Sequence, residues 1–403
     1  MEPILNGIRV VELAAWTFVP AAGAVLADWG ADVIKIEHPV TGDPQRGLIN
    51  SGVVAGAGGV NHFVEQPNRG KRSIGIDVSS PQGREVTLKL IEKADVFVTN
   101  LLPGSRRRLG LDVEDVRARN PKIIYARGHG YGARGEQADR GGFDLAAYWA
   151  RGGIGDAVAA GDGSYPPIQR PAFGDVMAGF AIAGGIAGAL LRRERTGEPA
   201  VLDVSLLGTA LWNLGPDVVG SKVIGRNIPK FDLSDMPNPV ASVYRTQDNR
   251  FIAFVLLQAD RFWADLCTRL GRPDLATDAR FADARVRFAN RKDCIAELRD
   301  TFGTRPLEYW TKQLADFDGV WDVFQSALET HDDPQVIANG YLPEVTDENG
   351  NSFHLAANPV QFDETAPALK SAPGHGQHTE ELLLELGLTW DEIADLKTAD
   401  AIM

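Results

Sequence analysis

Cysteine is nearly absent: Cys267 and Cys294 are the two among 403 residues. That excludes a disulfide-stapled scaffold, and their spacing is not that of a zinc site. A reducing cytoplasm is the expected compartment. No signal peptide is expected, because Met1-Glu2-Pro3-Ile4-Leu5-Asn6-Gly7 has neither a basic nor an apolar region. The longest apolar run, Ala178 to Leu191, is rich in Gly and Ala. It falls short of the about 20 residues a membrane span needs, so a buried helix is expected and no membrane partner. Positive charge is in deficit: Lys and Arg number 41 against 54 Asp and Glu, a net charge of −13. Such a surface repels phosphate backbones and argues against a nucleic-acid partner.

Several ligand motifs are also missing. The first turn, Ala14-Ala15-Trp16-Thr17-Phe18-Val19-Pro20, lacks G-x-G-x-x-G. Bulky Trp16 and Phe18 would block close approach of a pyrophosphate. There is no P-loop and no G-x-S-x-G elbow. The seven histidines are scattered, only His375 and His378 lying close together, so no metal is expected.

What is present is an ordinary globular balance, 44% hydrophobic and 24% charged, over a length that suits two or three domains. Strands are expected at Ile8–Leu13, Ala31–Glu37, Ser73–Val78, Asp95–Thr99 and Lys122–Arg127. Helices are expected at Pro20–Trp29 and from Ser80-Pro81 to Lys93, where Ser caps and Pro opens the first turn. Strands alternating with helices imply an α/β fold with a Rossmann-like parallel sheet. Residues 1–215 form its first part, with residues 140–215 mostly helical. Prolines and glycines in 216–240 suggest a linker or crossover. From 241 the texture changes, with a strand at Phe251–Leu257 and Arg-rich helices, which suggests a smaller α+β domain over 241–325. Residues 326–403 follow, with a strand-like Asn358–Phe362 and a helix near Thr379–Leu386.

Asp175, in Pro171-Ala172-Phe173-Gly174-Asp175, heads the Gly/Ala-rich helix. It reads as an N-cap aspartate, a role that helix starts commonly fill. It also reads as a carboxylate whose anion the helix start favours and which can attack an activated acyl group. The small residues after it allow close approach of a backbone or ligand. Lys71-Arg72, Arg46 and Arg106-Arg107-Arg108 lie at strand edges, where together they suit an anionic, phosphorylated ligand.

The ordered set of segments resembles the class III CoA-transferase family, which includes formyl-CoA and carnitine CoA-transferases. It comprises Leu5 to Glu12, Gly30 to Glu37, Gly42-Asp43 with Arg46-Gly47, Lys71 to Ile74, Ala94 to Val96 with Asn100, Pro103-Gly104, Gly174-Asp175 and His378 to Glu381. The resemblance implies a large domain built from both chain ends, an inserted small domain and an interlocked homodimer. It implies transfer of coenzyme A between an acyl-CoA and a carboxylic acid through an aspartyl-CoA thioester on Asp175. By matching position, CoA would contact Thr17, Phe18, His38, Ile76, Asp77, Val78, Ser79, Asn100, Leu101, Arg108, Phe143 and Asp144, with Arg108 the charge partner for a phosphate.

Three departures bear on the substrate. Position 17 is Thr where formyl-CoA transferase has Gln, position 38 is His rather than Arg, and no glycine-rich flap stands between 226 and 245. A bulkier acyl group is therefore expected. The α-methylacyl-CoA racemases share the fold and use a Gly-His-Asp segment, which here reads Gly142-Phe143-Asp144. Without that His, two-sided proton exchange lacks a base unless His129 supplies it. A CoA-binding protein without turnover is the remaining alternative.

Overall fold

A computed structural model describes residues 2–48 and 59–403. Its chain divides into two units. One comprises Met1–Val158, Pro166–Asn227 and Pro334–Met403; the other comprises Ala159–Tyr165 and Ile228–Asp333.

The first unit alternates β1 (Arg9–Leu13), α1 (Phe18–Asp28), β2 (Asp32–Glu37), α2 (His62–Asn68), β3 (Arg72–Gly75), α3 (Pro81–Glu92) and β4 (Val96–Thr99). It continues through α4 (Pro103–Leu109), α5 (Val113–Arg119), β5 (Ile124–His129), a π-helical turn (Leu145–Ala150), α6 (Ile154–Ala157), α7 (Phe173–Thr196) and β6 (Val201–Ser205). Two helices close the run, α8 (Leu206–Asn213) and α9 (Gly215–Ile224).

Among the described residues the strands form a six-stranded sheet in the order β3-β2-β1-β4-β5-β6. Every neighbouring pair is parallel. Both faces are buried, and side-chain alternation divides them. Val10, Val96 and Ile124 face one core, with α1 and α7. Val11, Phe97 and Tyr125 face the other, with α3 and the C-terminal helix Thr379–Glu385. The strand order reverses between β1 and β4, and ligands of open α/β sheets bind beyond the carboxyl ends at such a switch point.

Helix α7 runs 24 residues, further than its apolar stretch, and carries Arg193 and Arg195 in its last turn. Its glycines serve packing. A Cβ on Gly179 would stand 2.6 Å from the carbonyl oxygen of Phe18, so α1 and α7 approach as glycine allows.

The elements depart from the sequence reading at definite places. Pro20 lies inside the first turn of α1 instead of opening it, where its missing N–H costs no helical bond. Lys122 precedes β5. The segment 216–240 begins as helix: Pro216 opens α9 and Gly225, left-handed at φ 71°, ends it. Those residues were helix punctuation rather than irregular chain. The strand at Phe251 stops at Phe254. Asn358–Phe362 forms no strand, because Pro359 has no N–H and Asn358 Oδ1 accepts from Val360 N and Trp29 Nε1. A helix at Trp390–Thr398 went unread although Thr389 and Glu392 form a capping box.

The second unit carries a three-stranded antiparallel sheet (Val243–Arg245, Phe251–Phe254, Trp321–Val323). Its core gathers Trp263, Phe281, Phe302 and Trp310 with both cysteines. Cys267 and Cys294 are free thiols, pushed up to about 12 by burial.

Candidate active site

The loops after β1 and β4 meet at the switch point. Asn100 ties them together: its Oδ1 accepts from Ala15 N at 3.2 Å and its Nδ2 donates to Ala15 O at 2.7 Å. Trp16 adopts a left-handed φ of 67°, its N–H donates to Asp43 Oδ1, and its ring meets Phe143 edge-on at 5.6 Å. Thr17 Oγ1 accepts from Gln45 Nε2 at 2.7 Å. Ala172, just before α7, is left-handed as well. Two non-glycine residues in this conformation, one on each side, mark strain at the site.

Asp175 lies in the first turn of α7 and does not cap it. The cap belongs to Asp144, whose carboxylate accepts the Gly174 N–H at 3.1 and 3.2 Å. This corrects the N-cap reading of Asp175. Among the described residues its carboxyl has no hydrogen-bond or ion-pair partner. The expectation that the helix start favours its anion is also corrected. Burial first, and the nearby Asp144 charge second, push the Asp175 carboxyl up to about 7. Asp144 is raised by burial, while hydrogen bonds from the Gln169 side chain and the Gly174 and Asp175 backbone pull the other way.

Asp175 faces a cavity of about 410 Å³. Phe18, Asn100, Leu101 and Phe143 line it with Asp175, so the structure brings these five sequence-predicted residues together. His129 lines it too, its Nε2 2.8 Å from Asp203 Oδ1. Thr17 opens instead onto a second, mainly apolar cavity of about 410 Å³ beside the first turn of α7. Phe63, Pro67, Phe173, Val176 and Leu355 form its walls, with Glu65, whose carboxyl burial raises. Asp144 stands behind the α7 terminus and lines neither cavity.

The other predicted contacts lie apart from the Asp175 cavity. His38 is exposed, its Nδ1 accepting from Val40 N and Thr41 N. Ile76 is bridged to Ile402. Val78 is buried, and the Asp77 carboxylate accepts from the N–H and hydroxyl of Ser79. Arg108 projects from the last turn of α4, donating to Ser105 Oγ at 3.2 Å.

The basic points resolve differently from the sequence reading. Lys71 Nζ is fully buried and bonded to both oxygens of Glu12, at 2.9 and 2.7 Å. Burial outweighs that pairing and pushes the amine down to about 8. Lys35 joins the same cluster, 3.2 Å from Glu12 and 2.9 Å from Asp43. Arg46 holds Glu37 with two 2.7 Å bonds, Arg72 binds Asp32 and Glu385, and Arg106 binds Asp112. These cations build the fold rather than a phosphate site. Arg107 and Arg108 remain outside on α4. Asp203 and the Glu12–Lys71 cluster escaped the sequence because partners 74 and 59 residues away carry no local signature. No group of three or more His, Cys, Asp or Glu is placed to hold a metal among the described residues.

The family model described as CoA-transferase family III matches residues 5–379. Over 400 residues the chain is 30% identical to the (R)-2-hydroxy-4-methylpentanoate CoA-transferase of Clostridioides difficile, covering 99% of each. It is 31% identical to the cinnamoyl-CoA:phenyllactate CoA-transferase of Clostridium sporogenes, covering 99% of this chain and 97% of that one. A CaiB/BaiF family protein from Brucella suis superposes with a TM-score of 0.83 at 28% identity, over 96% of this chain and 100% of that one. With its parallel sheet, its switch-point cavity and a match spanning nearly its whole length, this chain belongs to CoA-transferase family III.

Proposed function

We propose that the protein moves coenzyme A from an acyl-CoA to a carboxylic acid, with Asp175 as the covalent carrier. The observation that carries this reading is a carboxyl in the first turn of α7 that has no partner among the described residues and faces a cavity at the sheet's switch point. The anionic carboxylate attacks the thioester carbonyl, forming a mixed anhydride and releasing CoA thiolate. The thiolate attacks the aspartyl carbonyl, forming aspartyl-CoA thioester and releasing the donor acid. An acceptor carboxylate attacks that thioester, forming a second anhydride and CoA thiolate. The thiolate then attacks the acceptor's carbonyl, and Asp175 is regenerated. Partial burial suits this chemistry: a weakly solvated carboxylate is more nucleophilic, and water is kept from the anhydride.

Phe18, Asn100, Leu101 and Phe143 hold the pantetheine end, while Thr17 lines the apolar cavity. His38, Ile76 to Ser79 and Arg108 are farther contacts for the nucleotide end, with Arg108 for a phosphate. Asp144 acts through the α7 terminus. The acyl group enters the apolar cavity, whose roughly 410 Å³ suits a branched or aromatic chain rather than formyl or oxalyl. The relatives named for (R)-2-hydroxy-4-methylpentanoate and for cinnamoyl-CoA and phenyllactate support this. The reaction needs no metal.

An interlocked homodimer is part of the proposal. Helix α9 has no buried residue, and Trp212, Val219 and Val223 are 84%, 63% and 79% exposed, which suits cover by a second copy. Two domains, with the small one inserted within 241–325, and a cytoplasmic location complete the reading.

The deciding experiment supplies an acyl-CoA and a second acid and follows where CoA goes. CoA exchange between the acids supports transfer. Deuterium entering the α-carbon of a 2-methylacyl-CoA without exchange supports the racemase, for which His129 would be the second base. CoA binding with neither outcome supports a binding protein.

A further inference from the structure

His129 ends β5 and its side chain is only 4% exposed. Its Nε2 meets Asp203 across the β5–β6 pair, at 2.8 Å. Arg127 clamps the same carboxylate at 2.8 and 2.9 Å. Burial pushes the Asp203 carboxyl up, but the His129 and Arg127 bonds outweigh it and hold it well below the usual range. An anionic Asp203 can only accept, so Nε2 donates to it, and in that tautomer of the imidazole Nδ1 is the acceptor. Asp203 is not on the cavity wall, so Nε2 is turned away from the cavity that His129 lines. Among the described residues Nδ1 has no hydrogen-bond partner.

The acceptor chemistry narrows what the cavity takes. Asn100 has both ends of its amide on Ala15. A thioester sulfur, an acyl carbonyl and a carboxylate bring only acceptors to the reacting centre. His129 Nδ1, on the wall of the cavity that Asp175 also lines, is matched by a donor close to the reacting carbon. We propose that His129 is a specificity-determining residue whose Nδ1 accepts a hydrogen bond from a 2-hydroxyl, so that the acid exchanged is a 2-hydroxy acid. This rests on the reading of Asp175 as the carrier of CoA.

The test compares 2-hydroxyhexanoate and hexanoate as acceptors, with butyryl-CoA as donor. Wild type prefers the hydroxy acid. His129→Phe lowers the ratio of kcat/KM for 2-hydroxyhexanoate over hexanoate by about 10- to 100-fold. His129→Gln, which keeps an acceptor oxygen, recovers part of the preference and carries the test if the Phe variant does not fold. A wild type without preference overturns the proposal. So does an equal loss on both acids, the result expected if His129 contacts the pantetheine amide or serves packing alone. Intact mass in the same samples separates the two readings. A CoA adduct on wild type with no hydroxyl preference sinks the His129 proposal alone, whereas no adduct on any sample sinks the Asp175 reading beneath it.

Discussion

The carboxylate of Asp144 accepts the backbone N–H of Gly174, one residue before Asp175, and so brings a second buried acid up to the proposed nucleophile. One side chain thus fixes the start of α7 and raises the pKa of its neighbour. With Asp175 at about 7, kcat/KM is expected to rise with pH up to that value and then level off. Replacing Asp144 by Asn removes the like charge and shifts the acid limb down by roughly one unit. The pH–rate profile of the two proteins checks this.

The same shift has a consequence for stability. The folded protein holds the Asp175 proton more tightly than the unfolded chain, whose value is 3.8. Stability is therefore present below pH 4 and lost as pH climbs from about 4 to about 7. Asp175→Asn removes that loss and is expected to be more stable than wild type at pH 8 by roughly 2–4 kcal/mol, with little gain at pH 4. Denaturant midpoints at the two pH values measure it.

Asp144→Ala removes the cap as well as the charge. It is expected to cost about 1 kcal/mol in addition to any change in rate, whereas Asp144→Asn keeps an acceptor for Gly174. Thermal melts of the two variants separate capping from charge.

Lys71 serves the fold. Lys71→Met leaves Glu12 buried with half its pairing and is expected to destabilise the protein by roughly 3–5 kcal/mol. A variant of unchanged stability that had lost CoA affinity would return Lys71 to the ligand site.

The apolar cavity sets acyl size. Val176→Trp at its wall is expected to reduce kcat/KM for hexanoyl-CoA by about 10-fold or more relative to acetyl-CoA. Competition between the two donors reads the ratio directly.

What the sequence revealed was local. Ser80 and Pro81 announced α3 because cap and proline act within one turn. The alternation of Val10 and Val11 between two cores is written in β1 itself. Helix α9 was misread because its proline and glycine are the same residues that mark loops. The last helix, at Trp390, was missed despite a readable capping box. At the site, Asp175 could be singled out from its place at a helix start. Its neighbour's control over that start could not, because Asp144 lies 30 residues away in sequence. Arg46, Lys71 and Arg72 looked like ligand charges until the fold supplied their carboxylates.

The most direct measurement is intact-protein mass spectrometry, with peptide mapping, after incubation with an acyl-CoA and removal of free ligand. The account predicts a CoA-sized adduct on the peptide containing Asp175, absent from Asp175→Ala. An adduct mapping to another residue, or CoA turnover that survives loss of this carboxyl, would contradict it.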